Sequence, residues 1–254
     1  LHVEITLAAL RAGKHVVCEK PLATSMADVD LIIHAAADRD VFPVFQYRWG
    51  PSFSALQTLI DAGLIGKPQV GAVETHWSRG ADYYAVPWRG TWSGERGGAI
   101  LGQAIHNHDL LPHFMGPVAQ VSAMAATRGN AIESEDCAAS TFVRENGALC
   151  TSNVTLGAAF DQSRIRLVFE DLTATSVTAP YAPGLDTWEI TARDPAKQRM
   201  VDELLKDVKA EPAGFIGFFK AIADHLAGRP ARPVSLDEGA ASIALVTAIY
   251  YAVR

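Results

Sequence analysis

Ala12-Gly13-Lys14-His15-Val16-Val17-Cys18-Glu19-Lys20-Pro21-Leu22-Ala23 sets a short apolar run between a glycine and a charged Glu-Lys-Pro turn. Val16, Val17 and Cys18 read as a buried strand, because β-branched runs bounded by turn residues favour extended backbone. Upstream, Ile5, Ala8, Ala9 and Ala12 share one face of a helix over residues 3–12, and Gly13 suits its C-cap. Downstream, Thr24 or Ser25 can N-cap a helix whose apolar face is Val29, Ile32, Ile33, Ala36 and Ala37. Val41 to Tyr47 then reads as a second strand. Helix, strand, helix, strand is the pattern of a parallel α/β sheet. Ligands of such sheets sit outside the carboxyl ends of the strands, which is where Glu19, Lys20 and Pro21 fall. The plainer alternative is a solvated Glu-Lys turn stopped by proline. No Gly-x-Gly-x-x-Gly occurs near the start, so the phosphate-binding turn of a dinucleotide fold is missing from this unit.

A second stretch, Gly97-Gly98-Ala99-Ile100-Leu101-Gly102-Gln103-Ala104-Ile105-His106-Asn107-His108-Asp109-Leu110-Leu111, reads as a glycine-rich turn entering a helix. On one continuous helix Gly102, Gln103, His106, Asp109 and Leu110 share a side, and His108 points away. The unpaired amides at its start can hold an anion. A histidine with a carboxylate one turn on is a plausible acid/base device. Alone, the stretch reads equally as a packed helix with capping glycines.

Just before it, residues 79–92 are irregular and aromatic, with Tyr83, Tyr84, Trp88, Arg89 and Trp92. Tyr and Trp pair a flat apolar face with a polar tip, which suits stacking on a sugar ring. Such a loop can also serve only as packing. Pro51 to Gly63 reads as a helix with Phe53, Leu56, Leu59 and Ile60 inward. Strand-like runs follow at 70–77, 118–125, 136–143, 148–155, 165–169 and 173–178, with Glu145-Asn146-Gly147 as a hairpin turn. They predict a meandering, mostly antiparallel sheet. Trp188 to Thr191 adds a short strand. Phe215, Phe218, Phe219, Ile222, Ala223 and Leu226 are expected in the core. Ser235 and Glu238 form a capping box for the last helix.

The bulk composition narrows the function classes. The 254 residues are 49% hydrophobic and 20% charged with a formal charge of -6, which gives no broad nucleic-acid footprint. Cys18, Cys137 and Cys150 form no CxxC pair and no disulfide framework, so a reducing, cytoplasmic setting is expected. No apolar run approaches the roughly 20 residues of a membrane span. A metal site is not expected: His106 and His108 face apart on a helix, and no HExxH or Cys/His cluster occurs. The chain opens and closes inside helical patterns, which reads as a fragment of a longer protein.

The run from Ala12 to Ala23 resembles a signature of the glucose-fructose oxidoreductase/inositol dehydrogenase/MocA family. The Gly97–Asp109 stretch resembles that family's second signature, a Gly-Gly turn followed by His-x-x-Asp. Two motifs in the right order are more specific than either alone. The resemblance implies an α/β fold: residues 1–48 as the C-terminal part of a Rossmann-like parallel domain, and residues 49–254 as an α+β domain with a large, mostly antiparallel sheet. The last helix is allowed to pack back on the first domain. It implies an NAD- or NADP-dependent oxidoreductase that moves a hydride between the nicotinamide and a hydroxyl carbon of a sugar, sugar derivative or cyclitol. Lys20, His106 and Asp109 are then the catalytic residues. Glu19, Lys20, Pro21, Arg48 and Arg89 would lie on the cofactor, and Gln103, Tyr84 and Trp88 on the substrate. A homo-oligomer through the open sheet face is implied as well.

Two positions depart from the family pattern. Many members carry an Asp four residues before the His, where this chain has Gly102. Arg96 replaces the first glycine of a common Gly-Gly-Gly run, which alters the turn or adds a cation. Two other readings stand beside the dehydrogenase: a non-catalytic binding or oligomeric module, and an enzyme that uses transient oxidation for glycoside cleavage or epimerisation.

Overall fold

The computed structural model describes residues 1–253. Arg254, at the end of the expected last helix, lies outside the described residues. The chain begins with α1 (His2–Arg11), β1 (Val16–Cys18), α2 (Met26–Ala36) and β2 (Val41–Pro43). β1 and β2 pair in parallel, with Val16 opposite Val41 and Cys18 opposite Pro43. Ser25 caps α2 by accepting from the Asp28 amide at 3.2 Å. The second strand is shorter than its apolar pattern predicts. Beyond Pro43 the chain tightens into a 3-10 turn over Gln46–Arg48. This turn positions part of the site.

α3 (Pro51–Asp61) buries Phe53, Leu56 and Leu59, spaced three residues apart along one face. Full burial of each leucine is worth about 1.5–3 kcal/mol. β3 (Pro68–Ser78) follows, then three one-turn helices: α4 (Ala81–Tyr84), α5 (Trp92–Glu95) and α6 (Ala99–Gly102). Next come α7 (Ile105–Met115), β4 (Val118–Ala126), β5 (Cys137–Arg144), β6 (Leu149–Thr155), β7 (Gly157–Phe169), β8 (Leu172–Thr175) and β9 (Glu189–Ala192). The strands form one seven-stranded sheet in the order β4-β5-β6-β3-β7-β8-β9. It is antiparallel throughout except for β3 beside β6, where Val70 lies opposite Leu149 in a parallel ladder.

β7 begins eight residues earlier than its apolar run. Its first half, Gly157-Ala158-Ala159-Phe160-Asp161-Gln162-Ser163-Arg164, has weak strand propensity. β3 imposes the extended form by pairing with it along its length, from Ser78 opposite Gly157 to Pro68 opposite Phe169.

α7 lies across the inner face of the sheet. Asn107 donates to Thr75 Oγ1 at 2.8 Å, and His108 Nε2 lies 2.7 Å from Ser152 Oγ. Gly71 makes this approach possible, because a Cβ there would sit 2.9 Å from Cys150 Sγ and 3.3 Å from Leu111 and Met115. The chain closes with α8 (Pro195–Leu205), α9 (Gly214–Leu226) and α10 (Leu236–Val253). α9 departs from expectation. Phe218 and Ile222 are buried, whereas Phe215, Phe219 and Leu226 are about half exposed. Gly217 lets the buried side press against Trp49.

α10 packs between the two sheets' supporting layers, with Gly239 in close contact with Pro43 and Leu22. The expected capping box is present: the Ser235 amide donates to Glu238 at 2.8 Å, and the Glu238 amide donates to Ser235 Oγ at 3.2 Å. By length and composition α10 is apolar enough to cross a membrane, contrary to the sequence reading, but a third of it is buried inside the fold. A single apolar core joins both sheets, from Val29 and Phe45 through Phe53 and Leu111 to Phe142 and Ile165.

Candidate active site

The Gly97–Leu111 stretch is not one helix. α6 ends at Gly102, and the amides of Gln103 and Ala104 both reach back to the Ala99 carbonyl, at 3.2 and 2.8 Å. α7 then starts afresh from Ala104, whose carbonyl accepts from the His108 amide at 2.8 Å. Across this break Gly102, Gln103 and His106 still face one cavity, as predicted, whereas Asp109 does not. The anion expected at the helix start is part of the protein itself. Glu135, 5% exposed, accepts from the amides of Gly98 and Ile100 at 3.1 Å and from Tyr250 Oη at 2.8 Å. Gly98 is required here, since a Cβ would lie 1.9 Å from the Glu135 carbonyl oxygen. Sequence reading missed Glu135 because it approaches from a loop 35 residues downstream.

A cavity of about 950 Å³ opens where α1, the Lys20-Pro21 turn, α6 and the aromatic loop meet. Lys20, Pro21, Trp88, Gln103 and His106 line it together, although 86 residues separate Lys20 from His106. The Lys20 ammonium donates to the Gly102 carbonyl at 2.5 Å. Burial lowers its pKa from the ordinary lysine value, against the opposing pull of Glu19 and Glu95. His106 is 6% exposed, and its Nδ1 has no hydrogen-bond partner among the described residues. Burial first, and the Lys20 charge second, hold it well below the ordinary histidine pKa. Its imidazole is therefore neutral at physiological pH and has a lone pair available for a proton.

Three contacts order the site that the sequence did not single out. Tyr47, from the 3-10 turn, stacks on the His106 ring with centroids 4.5 Å apart and planes 24° off parallel. Phe45 meets the same ring edge-on at 6.1 Å. Gln103 donates to Tyr83 Oη at 3.0 Å. Among the aromatic-loop residues, Tyr83 lines the cavity and Tyr84 does not. Tyr84 is turned inward, with its hydroxyl buried and unpaired among the described residues. Adjacent residues on a one-turn helix face apart, so the sequence could name the pair but not choose between them.

The other predicted residues lie elsewhere. Asp109 faces away from the cavity. It accepts a bidentate pair from Arg48, Nε to Oδ2 and Nη2 to Oδ1, both at 2.7 Å. Arg48 also reaches Glu238 at the start of α10. The Arg48 and Asp109 side chains are 7% and 2% exposed, so the pair is an interior clamp joining the 3-10 turn, α7 and α10. Burial alone would lower the Arg48 pKa, but the two carboxylates outweigh it and keep the guanidinium charged. Arg89 lies in the aromatic loop, with its guanidinium 4.0 Å over the Tyr83 ring and donating to the Tyr83 carbonyl. Glu19 is exposed beside the turn and accepts from the Lys20 amide at 3.1 Å. Gly102 borders the cavity with open space around its missing Cβ.

Two family models match the chain. Residues 1–47 match an oxidoreductase family with an NAD-binding Rossmann fold, and residues 53–175 match the GFO/IDH/MocA C-terminal domain. A myo-inositol 2-dehydrogenase of Thermotoga maritima is 34% identical over 119 residues, which are 45% of this chain and 33% of that protein. A levoglucosan dehydrogenase of Pseudarthrobacter phenanthrenivorans is 31% identical over 131 residues, 50% of this chain and 33% of that protein. These matches span about a third of each curated relative. Among solved structures, the WlbA dehydrogenase of Bordetella pertussis in complex with NADH and UDP-GlcNAcA superposes with a TM-score of 0.83 at 29% identity, covering 100% of this chain and 74% of that one. The two matched regions meet at the cavity that joins Lys20 to His106, and the chain belongs to the GFO/IDH/MocA family of oxidoreductases.

Proposed function

We propose that the protein containing this chain is an NAD(P)-dependent dehydrogenase that oxidises a hydroxyl carbon of a sugar, sugar derivative or cyclitol. The carrying observation is that a half-buried lysine from the first unit and a buried histidine from the second line one cavity. His106 takes the hydroxyl proton on its free lone pair. Lys20 holds the substrate oxygen through its ammonium. The stack of Tyr47 keeps the imidazole plane fixed while the proton moves. Gln103, already tied to Tyr83, offers its amide to a neighbouring hydroxyl.

The cavity suits a dinucleotide whose reactive end reaches Lys20. The Glu19-Lys20-Pro21 turn lies at the carboxyl end of β1, and the unpaired His106 Nδ1 marks a buried polar group that awaits a partner. When bound, the nicotinamide supplies the hydride acceptor. Glu19, Lys20 and Pro21 would hold it. Support for NADH comes from the WlbA complex and from the family description. The outer sheet face, with Met124 80% exposed and Phe160 66% exposed, supports pairing with a second copy.

The test is a screen of sugars, polyols and cyclitols with the full-length protein, followed by reduced-cofactor absorbance. Turnover that Lys20→Ala and His106→Ala each abolish supports the reading. Wild-type turnover in both variants removes it.

A further inference from the structure

We propose that Arg96 is a specificity residue that selects a substrate bearing an anionic group, a carboxylate or a phosphate on the sugar. The inference rests on the dehydrogenase reading above and names its substrate class.

Arg96 sits in the left-handed region, at φ 63° and ψ 8°, as the C-cap of α5. Glycine is the residue that takes this conformation without a Cβ penalty. A side chain kept in a strained backbone setting beside a site is a pointer to function. Its side chain is exposed and lines the Lys20–His106 cavity. It makes no hydrogen bond, ion pair or ring contact among the described residues. The second guanidinium on this cavity, Arg79, is already committed. It donates to Asp161 at 3.1 Å and to Tyr181 at 2.9 Å, and it lies over Trp77 at 5.2 Å.

Among the described residues none of the three carboxylates on this cavity, Glu4, Asp28 and Glu95, is ion-paired to Arg96. Glu95 is turned to the Gly90 amide, and Asp28 accepts from Ser25 at 2.8 Å. An uncommitted guanidinium on the wall of a substrate cavity offers a planar fork matched to a carboxylate or phosphate. Trp88, 52% exposed on the same cavity, gives the sugar ring a flat surface to rest on. Arg96 is thus placed to bind the charged substituent while Lys20 and His106 address the hydroxyl.

The test uses the full-length protein and a panel of neutral aldoses, each with its uronate and its 6-phosphate. Wild type is expected to favour one anionic series over the neutral sugars by at least about tenfold in kcat/KM, the worth of one charge-assisted contact. The series that wins identifies carboxylate or phosphate. Arg96→Gly, which relieves the left-handed backbone, should abolish that preference through KM, leave kcat and the KM for cofactor unchanged, and melt no lower than wild type. Arg96→Lys should restore part of the preference. In parallel, the favoured anionic sugar should raise the melting temperature of wild type more than that of Arg96→Gly.

Equal kcat/KM for neutral and anionic sugars overturns the inference and leaves the dehydrogenase reading standing. A preference that survives Arg96→Gly overturns it as well. So does a variant whose defect lies in the KM for cofactor, which would assign Arg96 to the dinucleotide. If no member of the panel is oxidised, the inference falls, and the dehydrogenase reading falls with it only when the wider screen of polyols and cyclitols also shows no turnover.

Discussion

Tyr47 stacks on His106, the first residue from a 3-10 turn and the second from α7, with ring planes 24° apart. The next residue, Arg48, grips the same helix one turn further on, through Asp109. One short turn therefore holds α7 at two points, once by an aromatic face and once by a bidentate ion pair. The histidine ring is oriented by a neighbour from the other unit of the chain.

Tyr47→Phe keeps the stacked face and should leave turnover within a few-fold of wild type, whereas Tyr47→Ala removes it. A misplaced reacting group costs up to about a hundredfold in rate. Tyr47→Ala is expected to lower kcat by about 10- to 100-fold, measured by steady-state kinetics below the variant's melting temperature, and, because Tyr47 is buried in the core, to lower stability by about 3–5 kcal/mol in calorimetry.

Lys20→Ala and His106→Ala remove groups that touch the substrate in the proposed reaction. Loss of a positioned acid or base lowers the rate by about 10²- to 10⁴-fold. Each variant should fall by that factor in turnover and keep its circular dichroism spectrum.

Asp109→Ala leaves Arg48 buried with only Glu238 as its carboxylate partner. Breaking one side of a buried pair costs about 3–5 kcal/mol. The variant should therefore be destabilised by that amount in urea unfolding, and Arg48→Met together with Asp109→Leu should recover most of it. An Asp109→Ala variant that unfolds like wild type would remove the clamp from the account.

Gly102→Asp has room, because nothing lies within 4 Å of a Cβ at that position. The new carboxylate would sit beside Lys20, whose ammonium already bonds the Gly102 carbonyl. An added negative charge raises the Lys20 pKa and, if it reaches His106, that pKa too. The acid limb of the kcat/KM profile should move to higher pH. An unchanged profile would exclude residue 102 from the proton path.

His108 is buried beneath the sheet at 1% exposure, and burial together with Arg144 lowers its pKa to about 4. The unfolded chain binds this proton near pH 6.5, so between about pH 6.5 and 4 the unfolded state holds more protons. Stability is complete above that window and falls as the pH drops through it. Unfolding midpoints should decline on acidification, and His108→Asn should flatten the decline.

Local patterns carried much of this protein. The β1 strand, the caps at Ser25 and Ser235, the α3 face and the alternation of the sheet strands are set by near neighbours, and so they were legible in order along the chain. The pairing of Lys20 with His106 was legible only because two motifs resemble one family. Tertiary structure decided the rest. It extended β7 against β3 over residues with little strand propensity. It broke the second motif at Gln103, where Glu135 arrives to take the amides of Gly98 and Ile100. It turned Asp109 to Arg48, and it put Tyr83 rather than Tyr84 on the cavity. Each of these depends on a partner dozens of residues away. Burial makes an unpaired charge or amide costly, so the partner that satisfies it decides where the side chain goes.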